Sequence, residues 1–426
     1  MCLADRCVDC IGMDNLKAET LELQIKDVVY RGKGLARVEG MVCFVPGVLP
    51  GETVTARVSK RHRRYLNADL VDVTTPSPAR ISPVCPLAFA PGIASPCPGC
   101  AYQHIDYTEE VRLKQAQLSG TLEHNAGVAS ECFANPVPSP IDTAYRNKIV
   151  LHEDNRAGQR VMGYFGEDNR TILDVPACPL AVPAINDAIE IARGDLSGKA
   201  VSRGGRVEHT FRYTTHDGAL HYCDRPKRRA AWLTETTPVG DIMIPRGSFS
   251  QVNVFLAGKL VEGVVEHLES RPSGMVIDLY CGVGLFALGA ARAGATEVLG
   301  IDSDRQAVQA AKHNARQLGM DRNVHFLAST AEAGLRRAMG EVSAEKVTLI
   351  ADPPRSGLDK SVIRTIRDLP PEHLIYVSCA ADTLARDLRA LVDTGYRVER
   401  AQLFDMFPRT ALFETVVSLH LETGNS

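Results

Sequence analysis

Cys379 closes the stretch Tyr376-Val377-Ser378-Cys379, just past a predicted strand, and the same C-terminal half carries a glycine-rich turn, Asp278-Leu279-Tyr280-Cys281-Gly282-Val283-Gly284. A thiol becomes a nucleophile where its surroundings favour the thiolate, and one placed beside a nucleotide-type cofactor turn is a candidate covalent catalyst. The pairing points to an enzyme. Glu414 is the second candidate. It stands in the apolar run Ala411-Leu412-Phe413-Glu414-Thr415-Val416-Val417, where a carboxylate is costly unless it is paired or functional.

The glycine turn lacks a full Gly-x-Gly-x-x-Gly pattern and any P-loop lysine. A nucleoside without a long phosphate tail fits it better than a dinucleotide or ATP, which favours S-adenosylmethionine. Asp302 closes the next predicted strand, where its carboxylate either accepts hydrogen bonds from ribose hydroxyls or caps the following helix.

The elements that must position these groups alternate. Predicted strands at 275–280, 297–301, 347–351 and 373–378 are separated by helices at 285–293, 305–318 and 361–369. Such a rhythm predicts a doubly wound sheet with ligands at the carboxyl ends of its strands, where Asp278, Asp302, Asp352 and Cys379 all fall. Residues 16–75 contain five short strand patterns (21–28, 35–38, 41–45, 52–59 and 68–73) and read as a small β-barrel. Pro76, Pro78 and Pro83 form a hinge-like connector. Between them and residue 240 lies an α+β domain, with a helix over 109–123, strands at 141–151 and 161–165, another helix over 184–193 and a hairpin of 206–213 with 219–223. The expected fold is therefore multidomain α/β, with units at 16–75, 76–240 and 241–426.

Four cysteines in punctuated backbone, Cys85, Cys97-Pro98-Gly99-Cys100 and Cys178, have the spacing to hold zinc or an iron-sulfur cluster. Cys2, Cys7 and Cys10 supply three ligands, one short of a closed tetrahedral site, and are not read as a second centre. Cys43, Cys132 and Cys223 lack a partner spacing and read as ordinary semi-buried thiols. Twelve cysteines without an export signal or a membrane-length apolar run indicate a cytoplasmic chain that uses thiols for ligation, catalysis or packing. The formal net charge of -3 excludes a globally basic nucleic-acid binder, so an RNA partner would need local patches. Arg57 with Lys60-Arg61-His62-Arg63-Arg64, and Arg203 and Arg206 with Arg225-Pro226-Lys227-Arg228-Arg229, are the candidates; as charge runs they also read as solvated faces.

Five ordered motifs carry a resemblance: Phe249-Ser250-Gln251-Val252-Asn253, the glycine turn at 278–284, Asp352-Pro353-Pro354-Arg355-Ser356-Gly357, Val377-Ser378-Cys379, and Phe407-Pro408-Arg409-Thr410 with Phe413-Glu414-Thr415. The chain resembles the RNA (uracil-5)-methyltransferases that use S-adenosylmethionine, in the long form with a leading TRAM barrel. The resemblance implies that Cys379 adds to uracil C6 and that Glu414 removes the C5 proton. It implies that Gln251, Tyr280, Gly282, Gly284, Asp302 and Asp352 frame the cofactor and reacting groups, and that Cys85, Cys97, Cys100 and Cys178 ligate a [4Fe-4S] cluster. The chain departs from the family where eleven residues separate Cys85 from Cys97, where Pro98 replaces a glycine, and where Ala380 follows the nucleophile. The expected partner is an unpaired or flipped uridine of 23S ribosomal RNA, with transfer RNA as the alternative; neither a membrane nor an obligate protein partner is expected. A cytosine-5 RNA methyltransferase and a noncatalytic RNA-binding protein are the rival classes.

Overall fold

Period-two alternation organises the N-terminal unit. Val54 and Ala56 point inward from one strand and Leu66 and Ala68 from its neighbour, while Arg57 and Asp69 point out. In a computed structural model, which describes residues 19–93, 95–156, 159–196, 207–223, 232–269, 274–342 and 346–422, the strands are β1 (Thr20–Gln24), β2 (Asp27–Val29), β3 (Lys33–Val38), β4 (Met41–Pro46), β5 (Thr53–Arg61) and β6 (Tyr65–Thr75). They form a six-stranded sheet in the order β1-β5-β6-β4-β3-β2.

The expected first strand is two strands because the chain changes partner at a corner. Ile25 N donates to Glu52 O and Lys26 N to Leu35 O, which carries the backbone from one edge of the sheet to the other. The sheet curls into a half-barrel around Leu23, Ala36, Cys43, Val45, Val54 and Leu66. The proline-rich connector is clamped rather than hinge-like. Arg80 donates to both carboxylate oxygens of the fully buried Glu52, at 2.5 and 2.7 Å, and to Gly47 O at 2.9 Å. A buried carboxylate demands such a cation.

The central unit contains α1 (Tyr107–Ala126), β7 (Lys148–Arg156), β8 (Gln159–Phe165), β9 (Ile172–Asp174), α2 (Pro183–Leu196), β10 (Val207–Thr214) and β11 (Gly218–Cys223). Its antiparallel sheet runs β11-β10-β7-β8-β9, and α2 packs Ile185 and Ile189 against Ile149, Leu151, Met162 and Phe211. Only 148–151 of the strand expected at 141–151 is extended. The preceding residues, beginning at a left-handed Ala144 (φ 53°), instead pair across to 180–182 and 253. The hairpin β12 (Trp232–Thr237) with β13 (Gly240–Pro245) follows. Cys2, Cys7 and Cys10, and the basic residues 203, 206 and 225–229, lie outside the described residues.

The C-terminal unit runs α3 (Val254–Glu269), β14 (Met275–Leu279), α4 (Leu285–Arg292), β15 (Glu297–Asp302), α5 (Arg305–Gln317), β16 (Val324–Ala328), α6 (Ala331–Glu341), β17 (Val347–Ala351), α7 (Lys360–Asp368), β18 (His373–Ser378), α8 (Ala381–Val392), β19 (Tyr396–Phe404) and β20 (Glu414–Leu421). The seven strands lie in the order β16-β15-β14-β17-β18-β20-β19. β14 to β18 are parallel, and β20 inserts antiparallel between β18 and β19. All residues of β14 and β17 are buried, as strands covered on both faces require. One core layers α6, α7 and α8 on the sheet together with Leu118 and Leu122 of α1; the other layers α3, α4 and α5 with Ile242 and Ile244 of the β12–β13 hairpin. The strand order reverses between β14 and β17, and a crevice for a ligand opens where crossovers diverge in this way.

Candidate active site

The glycine turn leaves β14 through three positive φ angles: 64° at Tyr280, 52° at Gly282 and 94° at Gly284. At Gly284 a side chain is excluded twice over, since an added Cβ would lie 2.8 Å from the Phe326 ring. Tyr280 adopts the left-handed conformation without being glycine, a strained arrangement held by hydrogen bonds from Tyr280 N and Cys281 N to Ile301 O at 2.8 and 3.1 Å. Asp302 fixes the same turn. Its Oδ2 accepts from Gly282 N at 2.9 Å and its Oδ1 from Asp304 N at 2.7 Å, while Asp304, not Asp302, caps α5.

A pocket opens over this turn. Gln251, Tyr280, Cys281, Gly282, Phe286 and Asp352 line it, together with residues of the β12–β13 hairpin. Gln251 Oε1 is buried with no hydrogen-bond partner among the described residues, so it presents an acceptor to whatever fills the pocket. Asp302 and Gly284 are not among the residues that line it. Asp278 is fully buried below; its Oδ2 accepts from Ala287 N at 2.9 Å, and burial, with the nearby Asp352, pushes its carboxyl well above the usual range.

Cys379 and Glu414 meet at the adjoining strand ends. The antiparallel ladder pairs Ser378 with Thr415, so the next residue of β18 lies opposite the first of β20. Cys379 is half-buried, and burial pushes its thiol up to about 11, with the Glu414 carboxylate adding to the rise and Arg355 opposing it. Glu414 is buried, with Oε2 unpartnered; burial, then the Asp352 charge, drive its carboxyl well above the usual range against the pull of Arg355. Burial likewise pushes Asp352 up to about 7. Thiol, two carboxyls and one guanidinium thus converge beside the pocket. Arg355, whose role the sequence left open, belongs to this group, since its guanidinium opposes the rise at both Cys379 and Glu414.

Tyr30 was not foreseen. It lies in the β2–β3 turn of the half-barrel, yet its hydroxyl accepts from Ala381 N at 3.1 Å and its ring meets Phe413 edge-on at 6.0 Å. The N-terminal unit therefore braces the loops that carry Cys379 and Glu414. No local pattern could reveal a contact between residues 351 positions apart.

The Phe407-Pro408-Arg409-Thr410 motif acts as a latch. Lys114 of α1, completely buried, donates to Glu110 and Asp405 at 2.7 Å each and to Phe407 O at 3.2 Å. Arg409 N donates to Glu110 at 2.7 Å, and the Arg409 guanidinium bonds Ile105 O and Asp142.

Cys85, Cys97, Cys100 and Cys178 line one further pocket, with Gln103, Arg146 and Tyr164 around them. Burial pushes the Cys100 thiol up to about 12, and Gln103 Nε2 lies 3.7 Å from its sulfur. The half-buried Arg146 guanidinium opposes that rise at Cys97 and Cys100. Four cysteines lining one pocket beside a cation suit an anionic, four-thiolate metal centre. Cys43 is wholly buried in the half-barrel core, and Cys132 is buried with its thiol directed to Val398 O.

A family profile described as tRNA (Uracil-5-)-methyltransferase matches residues 241–422, and one described as TRAM domain matches 16–71. A 23S rRNA (uracil(1939)-C(5))-methyltransferase, RlmD, of Alkalilimnicola ehrlichii is 30% identical over 446 residues, 96% of this chain and 98% of the relative. An uncharacterized RNA methyltransferase of Halalkalibacterium halodurans is 30% identical over 460 residues, 95% and 98% of the two chains. The chain belongs to the S-adenosylmethionine-dependent RNA (uracil-5-)-methyltransferases. This RNA (uracil-5-)-methyltransferase is an enzyme that methylates uracil at C5 in RNA and carries a TRAM domain. A solved tRNA (uracil-54, C5)-methyltransferase of Pyrococcus abyssi, in complex with S-adenosyl-L-homocysteine, shares its fold, with a TM-score of 0.71 at 24% identity over 94% of this chain and 100% of that one. No described helix of the methyltransferase is long and apolar enough to cross a membrane.

Proposed function

We propose that the methyltransferase modifies an unpaired or flipped uridine of 23S ribosomal RNA through a covalent bond between Cys379 Sγ and uracil C6. The observation that carries this reading is Cys379 set opposite Glu414, with Asp352, which lines the Gln251–Tyr280 pocket, acting on both through its charge. Bound S-adenosylmethionine supplies an electrophilic methyl group. Sγ attack on C6 moves the C5–C6 π electrons onto C5, which would take the methyl group and release S-adenosylhomocysteine. Glu414 then accepts the C5 proton, the electrons return to the C5–C6 bond, and Sγ leaves. Because burial keeps the resting thiol protonated, it must first give its proton to water, and the nearby Arg355 guanidinium favours the thiolate that attacks. The target base must leave its stack to reach a half-buried thiol. The tip of the β5–β6 hairpin, with Lys60, Arg61, Arg63 and Arg64 exposed and His62 stacked on Tyr65 at 4.2 Å, supplies a local basic surface for RNA.

In the same reading Gln251, Tyr280, Gly282, Gly284, Asp302 and Asp352 hold the methyl donor, and Cys85, Cys97, Cys100 and Cys178 hold a [4Fe-4S] cluster. That cluster, when bound, cross-links the 85–100 loop to the turn before α2, a structural role. The reading includes a cytoplasmic location, because an RNA substrate and thiols that serve as ligands and nucleophile suit a reducing compartment. Relatives named as 23S rRNA enzymes support ribosomal RNA, while the C-terminal family description names tRNA. Transfer of labelled methyl groups into separated, unmodified 23S and transfer RNA, with the modified nucleoside mapped and Cys379→Ala as control, decides between them. Label in 23S 5-methyluridine that depends on Cys379 supports the reading; label confined to transfer RNA replaces the substrate.

A further inference from the structure

We propose that His209, His221 and Cys223 form a zinc(II) site in the central unit, separate from both the catalytic rim and the four-cysteine pocket. The β10–β11 register pairs His209 with Cys223 and Phe211 with His221, and the two-residue step from His221 to Cys223 keeps both on one face. Their donor atoms lie within 4.8 Å of one another. His209 Nδ1 is 2.9 Å from His221 Nε2 and 3.5 Å from Cys223 Sγ, and His221 Nε2 is 3.8 Å from the same sulfur. Zinc bonds of about 2.0–2.1 Å to nitrogen and about 2.3 Å to sulfur, at tetrahedral angles, require edges of about 3.3 Å between nitrogens and about 3.6 Å from nitrogen to sulfur. The three groups need to move by only a few tenths of an ångström.

A second observation points the same way. His209 Nε2 sits 3.0 Å from Oε2 of Glu153, a buried carboxylate on β7 that also binds Arg160. A carboxylate on one imidazole nitrogen fixes the tautomer, leaving the other nitrogen's lone pair free for a metal, the usual outer support of zinc histidines. Two imidazoles and a thiolate suit zinc better than a hard cation. Cys223, read from sequence as an ordinary thiol, thus has ligand partners. The signal was a His-x-Cys strand opposite a histidine, visible only once the hairpin register is known.

The test uses full-length protein purified anaerobically with its iron and sulfide content measured, then exposed to Zn(II) or Co(II) and freed of excess metal. The expected result is one added zinc per chain, with sulfur-to-cobalt charge-transfer absorption in the Co(II) form, both lost in Cys223→Ser and in His221→Ala while iron content stays unchanged. Cys178→Ser should lose iron and keep the zinc. Failure of wild-type protein to take up zinc, or retention of the zinc and the cobalt absorption in both Cys223→Ser and His221→Ala, would overturn the proposal without touching methyl transfer.

Discussion

Cys379 and Glu414 sit across from each other because β20 runs antiparallel to β18 and pairs Thr415 with Ser378. A fully parallel sheet would place the start of its last strand at the opposite edge, far from the thiol. With the carboxyl buried and one oxygen unpartnered, the base is separated from the nucleophile in role but not in space. Glu414→Gln should therefore permit addition and methylation but block proton removal. Turnover should fall by about 10²–10⁴-fold. A methyl-labelled protein–RNA band that survives denaturing electrophoresis should accumulate, whereas turnover within a few-fold of wild type would assign proton removal to another group.

Both functional groups titrate upward. Burial holds the Cys379 thiol near about 11 and drives Glu414 well above the usual carboxylate range. Each acts in its deprotonated form, so raising pH towards a raised pKa enlarges the active fraction. Single-turnover methyl transfer should increase between about pH 6.5 and pH 9, by up to about tenfold per unit where one proton is lost. A rate that declines over this range contradicts the nucleophilic assignment of Cys379.

Tyr30 tests the brace between the half-barrel and the catalytic loop. Tyr30→Phe keeps the ring against Phe413 but removes the acceptor for Ala381 N. A net hydrogen bond of about 0.5–1.5 kcal/mol corresponds to as much as about tenfold in rate. We expect kcat to fall by that order, with the affinity for S-adenosylhomocysteine in calorimetry unchanged. Arg31→Ala, which removes the exposed pair with Asp382 and a cation–π contact with Tyr30 at 5.8 Å but keeps the Tyr30 hydroxyl, should change kcat less.

The fold and its chemistry were unequally legible. β14, β17 and β18 are short apolar runs buried on both faces, and the glycine turn, Cys379 and the four clustered cysteines followed from local pattern and motif order. The run around Glu414 drew attention as an odd setting for a charge, but its strand identity was hidden, since an apolar run alone does not distinguish strand from helix. The Ile25–Lys26 corner was missed because apolar residues continue through it and only the hydrogen-bond partners change. The Tyr30 brace and the Arg409 latch depend on tertiary contacts that no single window of sequence contains, while the His209–Cys223 pairing lies inside the expected hairpin and was hidden only by its register.

The buried latch should dominate stability. Lys114→Met leaves Glu110 and Asp405 without their shared cation, at a cost of about 3–5 kcal/mol. Burial, against the pull of Lys114, already raises Glu110 to about 7, and loss of the cation raises it further. A carboxyl with a raised folded pKa is destabilising when ionised, so the deficit should shrink as pH falls below that value. Denaturant midpoints at pH 8 and pH 6 measure this; an equal deficit at both would show that lost packing, not charge, is responsible.

Removing one cluster ligand should separate architecture from chemistry. Cys97→Ser should lose iron and sulfide and lower RNA affinity, while S-adenosylhomocysteine binding at the distant glycine turn persists. Iron and sulfide assays with calorimetry check both parts, and undiminished iron in this variant would remove Cys97 from the ligand set.

The nucleophilic role of Cys379 is tested most directly by mixing the protein with S-adenosylmethionine and RNA bearing 5-fluorouridine, whose fluorine cannot leave as a proton. A methylated adduct mapped by mass spectrometry to the Cys379 peptide, and absent from Cys379→Ala, is the predicted result. Methylation that proceeds in Cys379→Ala, or an adduct mapped to another residue, contradicts it.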